Sequence, residues 1–528
     1  MKSPVPGAPM AEFANEPIRE LRRAPERSRL EEALVALDRR LPIAVPVMIG
    51  PDARDEPDFD SVDPSDPGRV VARATSASPR EVEAAVRVAA EAQRDWGARP
   101  ASERAAVMSR AAAELRERRA ELAALAAREC AKPWSQADAD VCEAIDFLEF
   151  YAREVLALDA SSQLIQMPGE RNTLRHRARG VVAVIAPWNF PFAILTGMTA
   201  AGLVTGNAVC VKPAEQSPAC GLAVVEALRR AGVPDGVLAL LPGDGTVGGS
   251  LVDDPSVQTI AFTGSSAVGL EILRKAATPA PGQRHLKRVI AEMGGKNCVI
   301  VDADADLDEV IPALLDSAYA FAGQKCSAAS RTLVHERIAD ELLERMRGAL
   351  QTLRVGPPED FETDVPPVID ADARDRIESA LAELGPEAEI DRAALPAGSG
   401  YWVAPTIVAG APADSTVVTS ELFGPVLTIE PVAGVDAACD IVDGLGHALT
   451  GGLFSRDPAT IERVIARSPV GNFYVNRATT GAMPGRQPFG GNRLSGMGFK
   501  AGGGEYLPQF VDSHVVTENT VRHGLPIE

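Results

Sequence analysis

The sequence lacks the patterns that would mark a metal site or a disulfide framework. Its 7 cysteines are odd in number and form no CxxC pair, and its 6 histidines include no HExxH motif. Paired spacings of this kind are what zinc sites and small disulfide-linked folds require. We therefore expect no metal site and a reducing compartment, the cytoplasm.

The chain also has fewer positively than negatively charged residues. The chain has 53 Lys and Arg against 73 Asp and Glu, which gives a formal net charge of −20, and no long stripe of Lys and Arg appears. Because nucleic acids are bound through clustered cations, no nucleic-acid partner is expected.

Nothing at the amino terminus resembles a secretory signal, because Met1 to Phe13 is rich in proline and has no apolar core. One uncharged stretch, Phe190 to Val211, is long enough for a membrane span, but Asn207 and several Gly and Thr interrupt it. We predict a buried helix followed by a buried strand, and no membrane partner.

What is present is a pattern of short, continuous apolar runs separated by helical stretches. The runs cover residues 180–186, 208–211, 237–241 and 259–262, and a second alternation starts with Cys298 to Val301. Runs of this kind are typical of strands buried on both faces of a parallel sheet. The sequence therefore predicts two doubly wound α/β domains, with a boundary at residues 293 and 294.

Cys326 is a candidate nucleophile. It lies among small residues in Gly323-Gln-Lys-Cys-Ser-Ala-Ala-Ser330, which would let a substrate approach, and the preceding Lys325 would favour the thiolate. A lone cysteine is more often a buried structural residue, and that alternative stays open on these residues alone.

Two further polar residues follow predicted strands. Glu292 ends an apolar run just before two glycines, and Asn189 lies between Pro187 and Pro191 after the first run. Ligands of open α/β sheets bind beyond the carboxyl ends of the strands, where both would fall. Each also has a plain structural interpretation, a surface carboxylate at a turn and a turn-forming asparagine.

Together these segments resemble the aldehyde dehydrogenase superfamily, and the resemblance covers nearly all of residues 60–515. The motifs that carry it, in chain order, are Pro187-Trp-Asn-Phe-Pro191, Lys212-Pro-Ala-Glu215, Phe262-Thr-Gly-Ser265, Glu292-Met-Gly-Gly-Lys296, Gly323-Gln-Lys-Cys326, Glu421-Leu-Phe-Gly-Pro425 and Pro488-Phe-Gly-Gly491.

The resemblance implies catalytic roles for three residues. Cys326 would attack the aldehyde carbon, Asn189 and the Cys326 N–H would hold the developing oxyanion, and Glu292 would activate the water that hydrolyses the thioester. A CoA-acylating enzyme has no use for such a base, so Glu292 argues against that alternative. Intact Cys326, Glu292 and Asn189 argue against a catalytically dead binding protein.

The resemblance also implies a nicotinamide cofactor, although the GxGxxG fingerprint is missing. Gly264 and Gly269 flank a turn between a strand and a helix, where backbone amides would favour a pyrophosphate. A carboxylate at Glu215 would repel a 2′-phosphate, which favours NAD over NADP. The implied contacts are Ser265 and Trp188 for the pyrophosphate, Lys212 and Glu215 for the adenine ribose, and Glu421 and Phe423 for the nicotinamide end.

Within the superfamily, the sequence is most similar to the monofunctional L-glutamate γ-semialdehyde dehydrogenases, which act in proline catabolism. In that subgroup a loop matching Thr480-Gly-Ala482 anchors the α-carboxylate of the aldehyde substrate. The implied substrate residues are Ser327, Gly481, Ala482, Phe190, Phe489, Lys325 and Glu143.

The chain departs from the subgroup's pattern near this loop. Ala329 replaces a second cysteine, and Met483-Pro484 and Asn492-Arg493 replace other residue types. Proline fixes φ beside the anchor, so the departures bear on which aldehyde fits. A dehydrogenase of another semialdehyde or of betaine aldehyde remains the alternative.

The predicted organisation completes this picture. Residues 164–179 and 509–519 look like strands that could extend a neighbour's sheet. We therefore expect a small β arm that pairs copies of the chain in a homo-oligomer, either a dimer or a multiple of one.

The predicted regions are an N-terminal arm at 1–60, an NAD-binding domain at 61–293 with an oligomerisation hairpin at 163–179, a catalytic domain at 294–500 and a C-terminal oligomerisation tail at 501–528.

Overall fold

The structure, a computed structural model, describes residues 11–160 and 164–521. The outermost parts of the predicted arm and tail, residues 1–10 and 522–528, and the first residue of the predicted hairpin lie outside this range. The α-helices of the described part are α1 Ala24–Asp38, α2 Pro79–Ala98, α3 Ala101–Glu117, α4 Arg119–Cys130, α5 Trp134–Ala160, α6 Ala193–Val204, α7 Pro218–Arg230, α8 Gly245–Asp253, α9 Ser266–Ala276, α10 Leu307–Tyr319, α11 Glu336–Leu350, α12 Ala371–Ala382, α13 Thr416–Thr419, α14 Val435–Asp443 and α15 Pro458–Arg467.

The β-strands form two large sheets and three small ones. In chain order they are β1 Ile43–Val45, β2 Val47–Ile49, β3 Asp52–Arg54, β4 Phe59–Asp63, β5 Asp66–Ala74, β6 Glu170–Ala178, β7 Val181–Ile185, β8 Ala208–Lys212, β9 Leu238–Leu240, β10 Val257–Thr263, β11 Arg288–Glu292, β12 Cys298–Val301, β13 Arg331–His335, β14 Glu389–Arg392, β15 Thr406–Ala409, β16 Val426–Val432, β17 His447–Ala448, β18 Thr450–Phe454, β19 Asn472–Val475, β20 Asn492–Arg493, β21 Gly496–Met497 and β22 Val511–Asn519.

The first large sheet has the order β21-β11-β10-β7-β8-β9-β2-β3. Strands β11, β10, β7, β8 and β9 are parallel, and β7 and β8 are buried apart from the last residue of β7. The chain winds from β7 outward to β9 and then crosses back to β10 on the other side. The predicted doubly wound domain is confirmed, and the winding reverses between β7 and β10.

The second large sheet has the order β14-β15-β16-β13-β12-β18-β19, and all of it except β14 is parallel. Strands β12 and β13, both expected from the sequence, lie together in its middle. The chain changes from the first sheet to the second between Glu292 and Cys298. The fold class expected from the sequence, two α/β units built on parallel sheets, is therefore confirmed.

Segments near both ends of the chain form strands within the sheets. Strands β2 and β3 form one edge of the first sheet, and β21 forms the other. The part of the predicted arm after residue 42 thus belongs to the sheets. Strand β6 pairs with β22 along its whole length, from Val511 opposite Ala178 to Asn519 opposite Glu170, in a two-stranded antiparallel ribbon.

The uncharged stretch from Phe190 to Val211 forms α6 and β8, as predicted. All residues of α6 except Ile194 are buried, because the helix packs against α5 on one side and the first sheet on the other. No helix in residues 11–160 and 164–521 is long and apolar enough to cross a membrane.

Candidate active site

A cavity of about 850 Å³ lies where the two large sheets meet. It is large enough for a dinucleotide arm and a small substrate. Its walls include most of the residues singled out in the sequence: Asn189, Glu292, Cys326, Trp188, Gly264, Ser265, Glu421, Phe423, Ser327, Gly481, Ala482, Phe190, Phe489, Lys325 and Glu143.

The carboxyl edge of the first sheet forms one wall. Strand β7 leads into Trp188 and Asn189, β10 leads into Gly264 and Ser265, and β11 ends at Glu292. These three strands are parallel neighbours, so residues that are far apart in the chain meet at one edge. The point where the winding reverses, between β7 and β10, opens directly into the cavity.

Cys326 lies in the loop before β13 and therefore comes from the amino edge of the second sheet. Phe321, Ala322 and Gly323, just upstream, all have positive φ values of 55°, 54° and 66°. A side chain at position 323 would overlap the carbonyl oxygen of Gly424, so only glycine fits there. The Asn297 side chain also fixes this loop by donating to the Cys326 carbonyl oxygen at 2.7 Å.

The Asn189 amide is held in place beside the nucleophile loop. Its Nδ2 donates one hydrogen bond to the Gln324 backbone carbonyl oxygen at 3.0 Å, and the backbone carbonyl oxygen of Asn189 accepts from Lys132 Nζ at 2.6 Å. Within the described residues, neither the second Nδ2 hydrogen nor the Cys326 N–H has an acceptor. Two donors are thus available for an oxyanion next to Cys326.

Lys132 was not singled out from the sequence. Its ammonium is fully buried, lies 3.9 Å from the ring centre of Phe190 and 4.5 Å from that of Phe321, and is 3.9 Å from Asp140. Asp140 in turn accepts from the Ala193 N–H at 3.0 Å. The two residues fix both ends of the segment that carries Asn189, but Lys132 lies in the short connection between α4 and α5 and Asp140 lies on α5, where the sequence pattern indicated only packing.

Burial raises the pKa of the Cys326 thiol to about 12, and the carboxylates of Glu421 and Glu292 add to the shift, although the Ser327 N–H opposes it. Burial also lowers the pKa of Lys325 to about 8, whereas the charge of the Cys326 thiolate raises it. The Lys325 ammonium and the thiolate therefore attract each other, but burial has the larger effect on the thiol.

Glu292 is a carboxylate suited to proton transfer. Its Oε2 accepts from the Gly491 N–H at 3.1 Å, and burial raises its pKa to about 8 against the opposing effects of that bond and of the Lys500 charge. A group with a pKa near the working pH takes up and releases protons readily. Glu292 also acts electrostatically on Cys326, so the two groups lie near each other.

The predicted nicotinamide end is built from the loop before β16. Glu421 accepts from the Gly295 N–H at 3.1 Å, and a side chain at Gly294 would overlap its carboxylate. Phe423 has a positive φ of 52° and meets the Trp188 ring edge-on, with 5.7 Å between ring centres. The loop after β7 of the first sheet and the loop before β16 of the second therefore contact each other at the cavity.

The predicted anchor loop opens hydrogen-bond donors toward the cavity. Gly481 has a positive φ of 84°. In the part of the chain that the structure describes, the N–H groups of Gly481 and Ala482 and the Ser327 hydroxyl have no acceptor. Thr479 and Thr450 both donate to the Ser327 carbonyl oxygen, at 3.0 and 3.1 Å, which ties the loop to the nucleophile.

Lys325 and Glu143 complete the polar wall. Burial raises the pKa of Glu143 to about 8, and the Asp140 charge adds to that shift. Phe190 and Phe489 add aromatic surface to the same cavity. Asp316, also on the wall, was not singled out, because nothing in its helical context distinguishes it from a surface carboxylate.

Three predicted cofactor residues do not line the cavity. Lys212 is buried at the end of β8 and pairs with the exposed Glu215 at 3.1 Å. Gly269 lies in α9, where a side chain would collide with Met293. All three sit beside the carboxyl edge of the first sheet, so the chain places them near the cavity without making them part of its wall.

Comparison with known proteins identifies the family that the sequence motifs resemble. Residues 52–516 match the aldehyde dehydrogenase family. The chain is similar to 1-pyrroline-5-carboxylate dehydrogenase 2 of Bacillus subtilis (strain 168), with 41% identity over 461 residues that make up 87% of this chain and 89% of that one.

Two solved structures are similar as well. The crystal structure of 1-pyrroline-5-carboxylate dehydrogenase from Thermus with bound NAD has a TM-score of 0.93 and 38% identity, covering 97% of this chain and 99% of that chain. Proline utilization A from Bdellovibrio bacteriovorus has a TM-score of 0.95 and 41% identity, covering 99% of this chain and 54% of that one. The chain thus spans about half of that longer protein.

Proposed function

The chain belongs to the aldehyde dehydrogenase family, and on this premise we propose that it oxidises L-glutamate γ-semialdehyde, the open form of 1-pyrroline-5-carboxylate, to L-glutamate. The reaction is the second step of proline catabolism. One observation carries the choice of substrate: the unpaired donors of Ser327, Gly481 and Ala482 face the cavity that also holds Cys326. Such a nest suits a carboxylate.

Cys326 begins the reaction by attack on the aldehyde carbon. The S–C bond forms as the thiol proton is released to solvent water, and the oxyanion takes hydrogen bonds from Asn189 Nδ2 and the Cys326 N–H. Gln324 holds the Asn189 side chain, and Lys132 holds the Asn189 backbone carbonyl oxygen. The donors are therefore oriented before the substrate arrives.

The residues at the switch point fit a dinucleotide. The Ser265 hydroxyl caps α9 by accepting from Val268 at 3.4 Å, the helix points its free amino end at the cavity, and Gly264 leaves room for close approach. When bound there, NAD supplies the acceptor for the hydride that leaves the thiohemiacetal carbon. Glu421 and Phe423 would hold its nicotinamide end next to Cys326.

Glu292 completes the cycle. After hydride departure the acyl group remains on Cys326 as a thioester, and Glu292 removes a proton from the water that attacks it. The C–S bond then breaks, glutamate is released and the thiolate recovers a proton. A carboxylate whose pKa is about 8 serves this role only when it has been deprotonated.

A substrate panel tests the proposed function. With NAD, kcat/KM for glutamate γ-semialdehyde is expected to exceed that for succinate semialdehyde by about tenfold or more, since succinate semialdehyde has one carbon fewer between its carboxylate and its aldehyde group. Propionaldehyde, which lacks a carboxylate, and the cationic betaine aldehyde should be poorer still. Betaine aldehyde as the preferred substrate would overturn the proposal.

The preference for NAD over NADP is a second expected result. The Glu215 carboxylate would face a 2′-phosphate with like charge, so kcat/KM should favour NAD by about tenfold or more, and Glu215→Gln should reduce that ratio. Glu226→Gln on α7 is a matched control, because that side chain is 41% exposed against 46% for Glu215. Equal efficiency of the wild type with both cofactors would contradict the assignment.

We also propose that copies of the chain associate through the ribbon of β6 and β22. The apolar side chains of Met167, Val515 and Val516 are exposed beside or on it. A sheet edge of this kind is completed by a neighbouring copy. The expected assembly is a dimer or a multiple of one, and a monomer in sedimentation would rule it out.

A further inference from the structure

The amino-terminal segment 13–19 is part of the substrate site, although its sequence carries no motif. It forms neither helix nor strand and runs along α5, and its Ile18 lines the same cavity as Cys326. The segment is fixed by Glu16, whose N–H donates to Asp146 at 2.6 Å, and by Arg19, whose N–H donates to Asp138 at 2.9 Å. Both acceptors are on α5.

Asn15 makes a specific bridge within this segment. Its Nδ2 donates one hydrogen bond to Asp146 Oδ2 and one to the Pro484 carbonyl oxygen, each at 2.9 Å. Both amide hydrogens are thereby used. Asp146 is 2% exposed and comes from α5, whereas Pro484 is buried and lies two residues after Ala482 of the anchor loop. The bridge therefore joins the anchor loop to the helix that also carries Glu143.

The loop is held on its far side as well. Gly485 N–H donates to the Gly502 carbonyl oxygen at 2.8 Å, and the Gly502 N–H donates to the Tyr151 hydroxyl at 2.9 Å. Phe13 packs beside Gly485, and its ring contacts Phe150 with 5.2 Å between centres. The contacts on both sides of the loop therefore connect it to α5. This helix sets the position of the anchor residues.

Asn15 is the hydrogen-bond donor to the Pro484 carbonyl oxygen among the described residues. Pro484 has no N–H of its own with which to hold this part of the loop. A buried carbonyl that loses its donor shifts toward another partner or toward water.

We propose that Asn15 is a positioning residue that sets the specificity of the site: its bridge from Asp146 to Pro484 holds the Gly481 and Ala482 N–H groups where the α-carboxylate of the substrate binds. This inference rests on the proposed function. Asn15 touches no reacting atom, so its loss weakens recognition of the carboxylate and leaves the chemistry at Cys326 unchanged.

Steady-state kinetics of the full-length enzyme with Asn15→Ala test the inference. We expect KM for glutamate γ-semialdehyde to rise about three- to tenfold, as for one lost hydrogen bond, while kcat stays within about twofold. With propionaldehyde, which has no carboxylate, kcat/KM should not change. Glu12→Ala, at an exposed position directly before this segment, is the matched control and should behave as the wild type on both substrates.

A second variant distinguishes the loss of the Asn15 bridge from a folding defect. Asn15→Asp keeps the shape of the side chain but turns an oxygen toward the Pro484 carbonyl, so its KM should rise at least as much, again with propionaldehyde unaffected. Unchanged KM values in both variants would overturn the inference. An equal loss on both substrates would also overturn it, since that marks a general structural role.

The failure of the proposed function would look different. A wild type that oxidises succinate semialdehyde but not glutamate γ-semialdehyde refutes the proposed substrate. The same comparison of Asn15→Ala with succinate semialdehyde, which also has a carboxylate, then still decides the role of Asn15.

Discussion

Replacing Cys326 with alanine is expected to lower NADH formation by at least about 10³-fold, because the variant lacks the thiol that forms the S–C bond with the aldehyde carbon. Binding of NAD should be retained, since the predicted cofactor residues are on other loops. Initial rates with glutamate γ-semialdehyde and calorimetric titration with NAD measure the two effects separately.

A second cysteine on the same wall provides the control. Cys142 on α5 also lines the cavity, and burial together with the Asp138 charge raises the pKa of its thiol strongly. Cys142→Ala should keep turnover within about twofold, because a small change in volume at this position touches no reacting atom. Turnover that persists in Cys326→Ala, or that is lost in Cys142→Ala alone, would refute the assignment of the nucleophile.

Replacing Glu292 with glutamine is expected to separate the two halves of the reaction. Hydride transfer should still occur, giving a burst of about one NADH per active site, whereas steady turnover should fall by about 10²- to 10⁴-fold because the thioester is not hydrolysed. Rapid-mixing measurements of NADH show both phases. Hydroxylamine, which attacks the thioester directly and leaves a hydroxamate, should restore part of the turnover.

The pH dependence gives an independent check on Glu292. Its pKa is raised to about 8, so the base is present as carboxylate only above that pH, and wild-type turnover limited by hydrolysis should rise as pH increases through about 8. This limb should disappear in Glu292→Gln. A variant with wild-type steady rates and an unchanged pH profile would show that another group activates the water.

The sequence predicted the first sheet well because its strands are buried on both faces. The apolar runs at 180–186, 208–211, 237–241 and 259–262 coincide with β7, β8, β9 and β10, and the predicted strand after residue 297 is β12. Edge strands were missed. β2 and β3 have three residues each, which is too short for any periodicity to appear, and so they were assigned to an arm.

The candidate site was predicted in part. Cys326, Glu292 and Asn189 were singled out by their motifs, and the structure brings all three to one cavity. Lys132 and Asn15 were missed, since each acts through a residue distant in the chain: Asn15 and Pro484 are 469 positions apart. The raised pKa of the Cys326 thiol was not predicted, because the charge of Lys325 is visible in the sequence and burial of the thiol is not.

The chemical groups can be read from the chain alone, because the nucleophile, the amide, the carboxylate and the alternation of strands and helices are local properties of the sequence. How these groups work together depends on the fold. The fold places Cys326 at the amino edge of one sheet opposite Asn189 and Glu292 at the carboxyl edge of another, and burial there shifts the pKa values of Cys326 and Glu292. Distances and desolvation depend on which distant segments pack together, and no local pattern encodes them.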